Sequence, residues 1–207
     1  MVWAVKPQML HEAAQPVLPY VGGALHLSIA AGIGLGTLAR WLGTERVVRA
    51  MPNTPALVGQ GMTGLYTPAA TPDADRELAE SALRSTGQLL WVDDEALIDS
   101  VTAVSGSGPA YVFFFIEALE QAGVEMGLTA EQAHQLAVGT FTGASALAAA
   151  SNDTPAVLRQ RVTSKGGTTF AAISSMEADR VKDSIVRALH AARLRAQELE
   201  QEFGRAD

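Results

Sequence analysis

The residues best placed to do chemistry lie in "VTSKGGTT", Val162 to Thr169. Glycine allows close approach and positive φ. Successive backbone N–H groups at a helix start form an anion nest, and Thr168 and Thr169 add hydroxyls. A carboxylate suits such a nest. The competing reading is an ordinary turn between helices. A third, Lys165 as a Schiff-base nucleophile, requires burial to lower its pKa, and the glycine-flanked setting reads as exposed.

Four other stretches carry polar groups or glycines at element ends. "AVKP", Ala4 to Pro7, ends a β-rich run, and ligands of open α/β sheets sit outside the carboxyl ends of strands. Lys6 is therefore placed either to meet a ligand or to carry a solvated loop charge. "GIGLGT", Gly32 to Thr37, follows a strand and opens a helix, imitating a pyrophosphate loop. Its third position is Thr37, however, and no acid ends the next β-run, "VVRA". "MPNTP", Met51 to Pro55, reads as a rigid turn or a site for Asn53 and Thr54. "SGSGPAY", Ser105 to Tyr111, either receives an anion or packs a helix start tightly.

No Ser-His-Asp arrangement or paired-carboxylate signature stands out, which points to chemistry supplied by a bound cofactor. His11, His26, His134 and His190 show no metal-ligand spacing, so no metal is expected. The formal net charge of −7 argues against nucleic acid and anionic membranes as partners. The chain has no cysteine, which fits a reducing, cytoplasmic setting. No signal peptide or membrane-spanning apolar run is present.

These groups need elements to position them. Val2–Val5, Leu25–Ala30, Val47–Ala50, Met62–Tyr66 and Leu89–Val92 read as strands alternating with helices or turns, which argues a mostly parallel sheet. "PDADRELAESALRSTG" starts with proline and acids and ends at Gly87, a punctuated helix. From about Asp94 the chain reads as helix. Pro109 opens one helix and Gly127 closes it. Thr129 and Gln132 form a capping-box pattern, and Thr154–Pro155 starts another helix. The last helix places Val181, Ile185, Leu189, Ala192, Ala196 and Leu199 on one stripe. The expected organisation is an α/β domain over residues 1–93 and an all-helical domain over 94–207. Gly139, Gly143 and the alanines to Ala150 suit close helix packing. An all-helical half with several apolar faces commonly completes its core in a homodimer.

In order, AVKPQ, SIAAGI, MPNTPALVGQG, DEALIDSVTAVSGSGPAY and VTSKGGTT resemble Δ1-pyrroline-5-carboxylate reductase nearly end to end. The resemblance implies a Rossmann-type domain followed by an all-α dimerisation domain. It also implies reduction of a cyclic imine to L-proline with NADPH or NADH, the last step of proline biosynthesis, in homodimers and often decamers. Ala4, Val5, Lys6 and Pro7 would line the cofactor. Ile29, Ala30 and Ala31 would lie near its nicotinamide, so "GIGLGT" would not be the family's pyrophosphate loop. Glu95 and Arg161 would lie near the substrate. Gly166, Gly167, Thr168 and Thr169 would hold its carboxylate and ring, with the Thr169 hydroxyl partnering the ring nitrogen.

Two departures stand out. "MVWAVKP" opens inside a strand of the family's sheet, so the Rossmann-type domain reads as N-terminally truncated, without its G-x-G-x-x-G loop. The expectation is little or no reductase activity from the 207-residue chain alone, or a non-catalytic helical dimerisation fragment. Lys165 stands where the family usually has proline. A β-hydroxyacid or 6-phosphogluconate-type dehydrogenase is a weaker alternative, since those enzymes employ a lysine inside a helix.

Overall fold

The run Val47–Met51 is buried from Val47 to Ala50, as expected of a strand covered on both faces. It is β3 of a five-stranded sheet in which β1 is Val2–Trp3, β2 His26–Ser28, β4 Gly61–Tyr66 and β5 Gly87–Trp91. The structure is a computed structural model and describes residues 1–204. The strands are ordered β1-β2-β3-β4-β5, parallel except between β3 and β4. The antiparallel step has a simple cause: the β3–β4 connection, Pro52–Gln60, is too short for a parallel crossover, which needs roughly a dozen residues.

Helices α1 (Leu10–Ala14) and α2 (Leu35–Leu42) cover one face of the sheet, packing Leu10, Leu38, Trp41 and Leu42 with Trp3 and Val47. Helix α3 (Asp73–Leu83) covers the other, where Ala79 and Leu83 meet Leu27, Val48 and Leu65. At the two sheet edges, β1 leaves Val2 exposed and β5 leaves Leu90 exposed.

The rest of the chain is helical: α4 (Leu97–Val101), α5 (Gly108–Glu125), α6 (Ala130–Ala150), α7 (Pro155–Arg161), α8 (Thr168–Ala178) and α9 (Val181–Gly204). Between α4 and α5, residues Thr102–Gly106 form a π-helical turn. The punctuation works as the sequence implies. Thr129 Oγ1 accepts the Gln132 N–H while Gln132 Oε1 accepts the Thr129 N–H, a complete capping box. Thr154 caps α7 with Pro155 behind it.

Two compact units result, Met1–Pro109 with the chain from Ala188 onward, and Ala110–Arg187. The change from strand to helix texture near Asp93 does not coincide with this division. Helix α4 packs tightly on β4, where a Cβ on Gly64 would lie 2.6 Å from Val101 Cγ1. That packing keeps the first helical residues with the sheet.

Candidate active site

Parallel pairing of β1 with β2, Trp3 opposite Ser28, sets the segments Ala4–Pro7 and Ile29–Ala31 side by side beyond the carboxyl ends of the two strands. This is where open α/β sheets receive ligands. Lys6 is exposed and caps the short turn Pro7–Met9, its carbonyl accepting the Met9 N–H at 2.9 Å. Ala4 is exposed, Val5 and Pro7 half-buried. Ile29 and Ala31 are half-buried and Ala30 is buried. The Ile29 N–H reaches the Trp3 carbonyl at 3.2 Å and the Ala30 N–H the Ser28 hydroxyl at 3.3 Å.

The glycine string that follows has a different occupation from a phosphate loop. Gly32 takes φ +73, and a Cβ there would lie 3.1 Å from Leu199 Cβ and 3.4 Å from the Phe203 ring. A Cβ on Gly34 would lie 2.7 Å from Glu200 Oε1. These glycines admit the last turns of α9. The first N–H of α2, on Leu35, already donates to Glu95 Oε1 at 2.5 Å. The α2 terminus thus holds a carboxylate of the chain itself and does not fit a pyrophosphate. Ile29–Ala31 offers only apolar side chains beyond the strand end, with no charge or hydroxyl of its own.

Glu95 also bonds to Arg49 Nη1, and Arg49 donates to Glu200 Oε2 at 3.1 Å. Arg49 is buried to 5% exposure on β3. Beside it Asp99 is buried, and burial first, then the Glu200 charge, raises its pKa above the usual carboxylate value. Sequence reading passed over Arg49, Asp99 and Glu200. The available signal was a charged residue inside "VVRAM", since a buried charge demands a partner.

Two stretches singled out by sequence meet each other. Asn53 Nδ2 donates to the Ser105 carbonyl and hydroxyl, each at 3.2 Å, and Asn53 Oδ1 accepts the Met62 N–H at 2.9 Å. "MPNTP" is thereby fastened to the π-helical turn that precedes α5. The close fit of Met51 against Gly106, where a Cβ would lie 2.5 Å from Met51 Cε, explains one glycine of "SGSGPAY".

The other candidates belong to the helical unit. Ser164–Gly167 is a turn in which the Gly167 N–H donates to the Ser164 carbonyl at 3.0 Å and Gly166 has φ +76. Gly167 is the N-cap of α8. The first backbone bond of that helix runs from the Ala171 N–H to the Gly167 carbonyl. The N–H groups of Thr168, Thr169 and Phe170 have no acceptor among the described residues. Thr168 and Thr169 are exposed, as is Lys165. The donor set is therefore three N–H groups and two hydroxyls, shifted one residue along from the expected set because Gly167 is committed to the turn. Arg161, on α7, is exposed and bonds to Asp153. A cavity of about 400 Å³ flanks the loop, lined in part by Val157, Gln160, Thr163, Phe170 and Ser174.

Among the described residues no three His, Cys, Asp or Glu side chains converge as a metal site. Among the described residues no helix is long and apolar enough to cross a membrane. The helical unit leaves Phe113, Phe114, Leu147 and Val162 exposed, an apolar surface suited to a second copy.

Known proteins match this arrangement. The family model for pyrroline-5-carboxylate reductase dimerisation matches residues 95–199. Pyrroline-5-carboxylate reductase of Pseudomonas aeruginosa is 47% identical over 206 residues, covering 99% of this chain and 76% of that protein. The Coxiella burnetii enzyme structure aligns with TM-score 0.89 at 39% identity, covering 96% of this chain and 74% of that one. The Plasmodium falciparum enzyme, solved with NADP bound, aligns with TM-score 0.87 at 32% identity, covering 96% and 80%. With its Rossmann-type sheet and the dimerisation region that follows, the chain belongs to the pyrroline-5-carboxylate reductase family.

Proposed function

We propose that this protein takes part in the reduction of Δ1-pyrroline-5-carboxylate to L-proline with NADPH or NADH. The observation that carries the reading is the free donor set at the start of α8, presented by a member of this family. When bound, the reduced nicotinamide supplies a hydride to the C=N carbon. Everything else falls to the chain. The N–H groups of Thr168, Thr169 and Phe170 hold the substrate carboxylate at the positive end of α8. Gly166, at φ +76, and Gly167 shape the turn that leaves those donors exposed.

The Thr169 hydroxyl hydrogen-bonds the ring nitrogen. It is a positioning group, because a neutral hydroxyl is a poor acid at pH 7, and solvent delivers the proton. Ala4–Pro7 and Ile29–Ala31 form the cofactor wall at the sheet. Arg161 belongs to the helical unit that carries the substrate loop, and Glu95 contributes within the sheet unit through Arg49 and α2. Holding two reactants in register can supply roughly 7–11 kcal/mol of the barrier, so a site without a strong acid or base suffices.

The apolar helical faces support a homodimer. A decamer of such dimers and a cytoplasmic location belong to the same reading, carried from the family resemblance.

The test measures L-proline formed from pyrroline-5-carboxylate and NADPH, together with binding of tetrahydrofuran-2-carboxylate, a ring acid that cannot be reduced. Turnover is expected to be low, because the α2 terminus after "GIGLGT" is filled by Glu95 and does not fit a pyrophosphate. The analogue is expected to bind and to lose affinity in Thr169→Val. Absence of both turnover and analogue binding overturns the reading.

A further inference from the structure

We propose that Arg49 and Glu200 are positioning residues that set the β2–α2 turn and, through it, the cofactor wall Ile29–Ala31. The proposal rests on the reductase reading for the identity of that wall. The physical case is the shape of one network. Arg49 stands buried on β3 and donates to both Glu95 and Glu200. Glu95 passes the constraint to the Leu35 N–H at the start of α2. Glu200 stands over Gly34, while Leu199 and Phe203 press on Gly32. The turn between the cofactor wall and α2 is thus held from one side by a carboxylate on its helix terminus. From the other side it is held by the end of α9.

Buried ionic clusters are poor stabilisers, since replacing one with apolar groups is often neutral or favourable. Their use is directional. Here the one buried guanidinium of Arg49 pairs with two carboxylates from remote segments, Glu95 and Glu200, so it ties those two segments to β3. The arrangement fixes the path of one segment, and that segment leads out of Ile29–Ala31. Displacing the wall by an ångström is enough to spoil a hydride-transfer geometry.

Arg49→Met is the obvious variant but leaves Glu95, Glu200 and the buried Asp99 without that cation and is at risk of not folding. Glu200→Gln and Gly34→Ala test the same contact by independent means. The first removes one charge. The second keeps every charge but sets a methyl 2.7 Å from Glu200 Oε1, which must shift, at a φ of −68 that alanine adopts freely.

The experiment is hydrogen exchange followed by mass spectrometry, with NADPH titration on the same samples. Both variants are expected to speed exchange across Ile29–Leu35 by about tenfold, the scale of losing one charge-assisted bond. Exchange in β3 and β4 stays unchanged. Apparent NADPH affinity falls, and affinity for tetrahydrofuran-2-carboxylate holds.

Unchanged exchange at Ile29–Leu35 in both variants overturns the proposal, and so does uniform acceleration through the whole sheet. If the unmodified chain binds no NADPH, the cofactor reading fails, and the exchange comparison still decides whether Arg49 and Glu200 set the turn.

Discussion

Glu95 Oε1 accepts the Leu35 N–H at 2.5 Å across 60 positions of sequence. The glycine string before Leu35 copies the look of a nucleotide loop, yet its helix terminus is filled by an internal carboxylate. The N-cap of α2 is Gly34, which offers no side-chain acceptor, so the acceptor arrives from a remote segment.

Glu95→Ala removes that acceptor and one partner of buried Arg49. The expected loss is about 2 kcal/mol, combining a cap and a charge-assisted bond. Glu95→Gln keeps an acceptor oxygen and loses less. A urea titration checks both, as a fall in midpoint with the slope unchanged.

Much of this was legible in the residues. Elements followed from alternation, from Gly87 and Gly127 at helix ends, and from side-chain caps at Thr129 and Thr154, because these are local rules. The family followed from five motifs in order. What sequence did not yield is contact between remote residues. Nothing near "GIGLGT" announces that Leu199 and Glu200 will fill the space its glycines leave. Asn53 and Ser105 were each noticed, but their hydrogen bonds depend on how the β3–β4 connection folds over the π-helical turn. Gly167 was read as a ligand donor, and its N–H closes the preceding turn instead.

Asp75 makes a two-point contact with Arg46, with Nε at 2.7 Å and Nη2 at 2.5 Å, and joins α3 to the start of β3. The bond to Arg46 holds the Asp75 carboxyl below its ordinary value of 3.8. A depressed folded-state pKa gives stability above the unfolded value, lost as pH falls through the folded one. Asp75→Asn is therefore expected to melt earlier than the parent at pH 7. The difference closes as pH drops below about 3.8. Melting curves at stepped pH values check it.

Asp99 behaves oppositely. Burial and the nearby Glu200 charge raise its pKa, while Arg49 and Arg193 oppose the shift in part. A raised carboxyl pKa means that stability is full below the unfolded value and is lost as pH rises through the folded value. Asp99→Asn removes an ionisation the fold resists. It is expected to raise the melting temperature at pH 7, and the gain is expected to shrink toward pH 4, in contrast to Asp75→Asn.

The junction of α8 and α9 carries a backbone prediction. Arg180 has φ +53, and it is the one non-glycine with positive φ among the described residues. A left-handed residue with a Cβ costs roughly 1–2 kcal/mol. Arg180→Gly relieves that cost and gives up an exposed ion pair to Asp183, which is worth little. Part of the relief is offset by the greater freedom of glycine in the unfolded chain. The expected net is a gain of about 0.5 kcal/mol, read as a higher urea midpoint.

The loop before α8 gives the sharpest substitution pair. Ser164–Gly167 closes with a hydrogen bond between its ends, and positive φ at its third residue alone makes it a type II turn. Lys165 holds the second position, where φ is close to that of proline and where type II turns favour proline. Lys165→Pro is expected to stabilise the chain by about 0.4–1 kcal/mol by restricting the unfolded state. Gly166→Ala places a Cβ at φ +76 and is expected to cost roughly 1–2 kcal/mol. Both act next to the free N–H groups of Thr168, Thr169 and Phe170, so ligand binding separates rigidity from charge. If turn stiffness governs the carboxylate site, Lys165→Pro binds tetrahydrofuran-2-carboxylate more tightly and the gain persists in high salt. If the lysine charge governs it, affinity falls, and the difference between variant and parent disappears as salt screens the exposed ammonium.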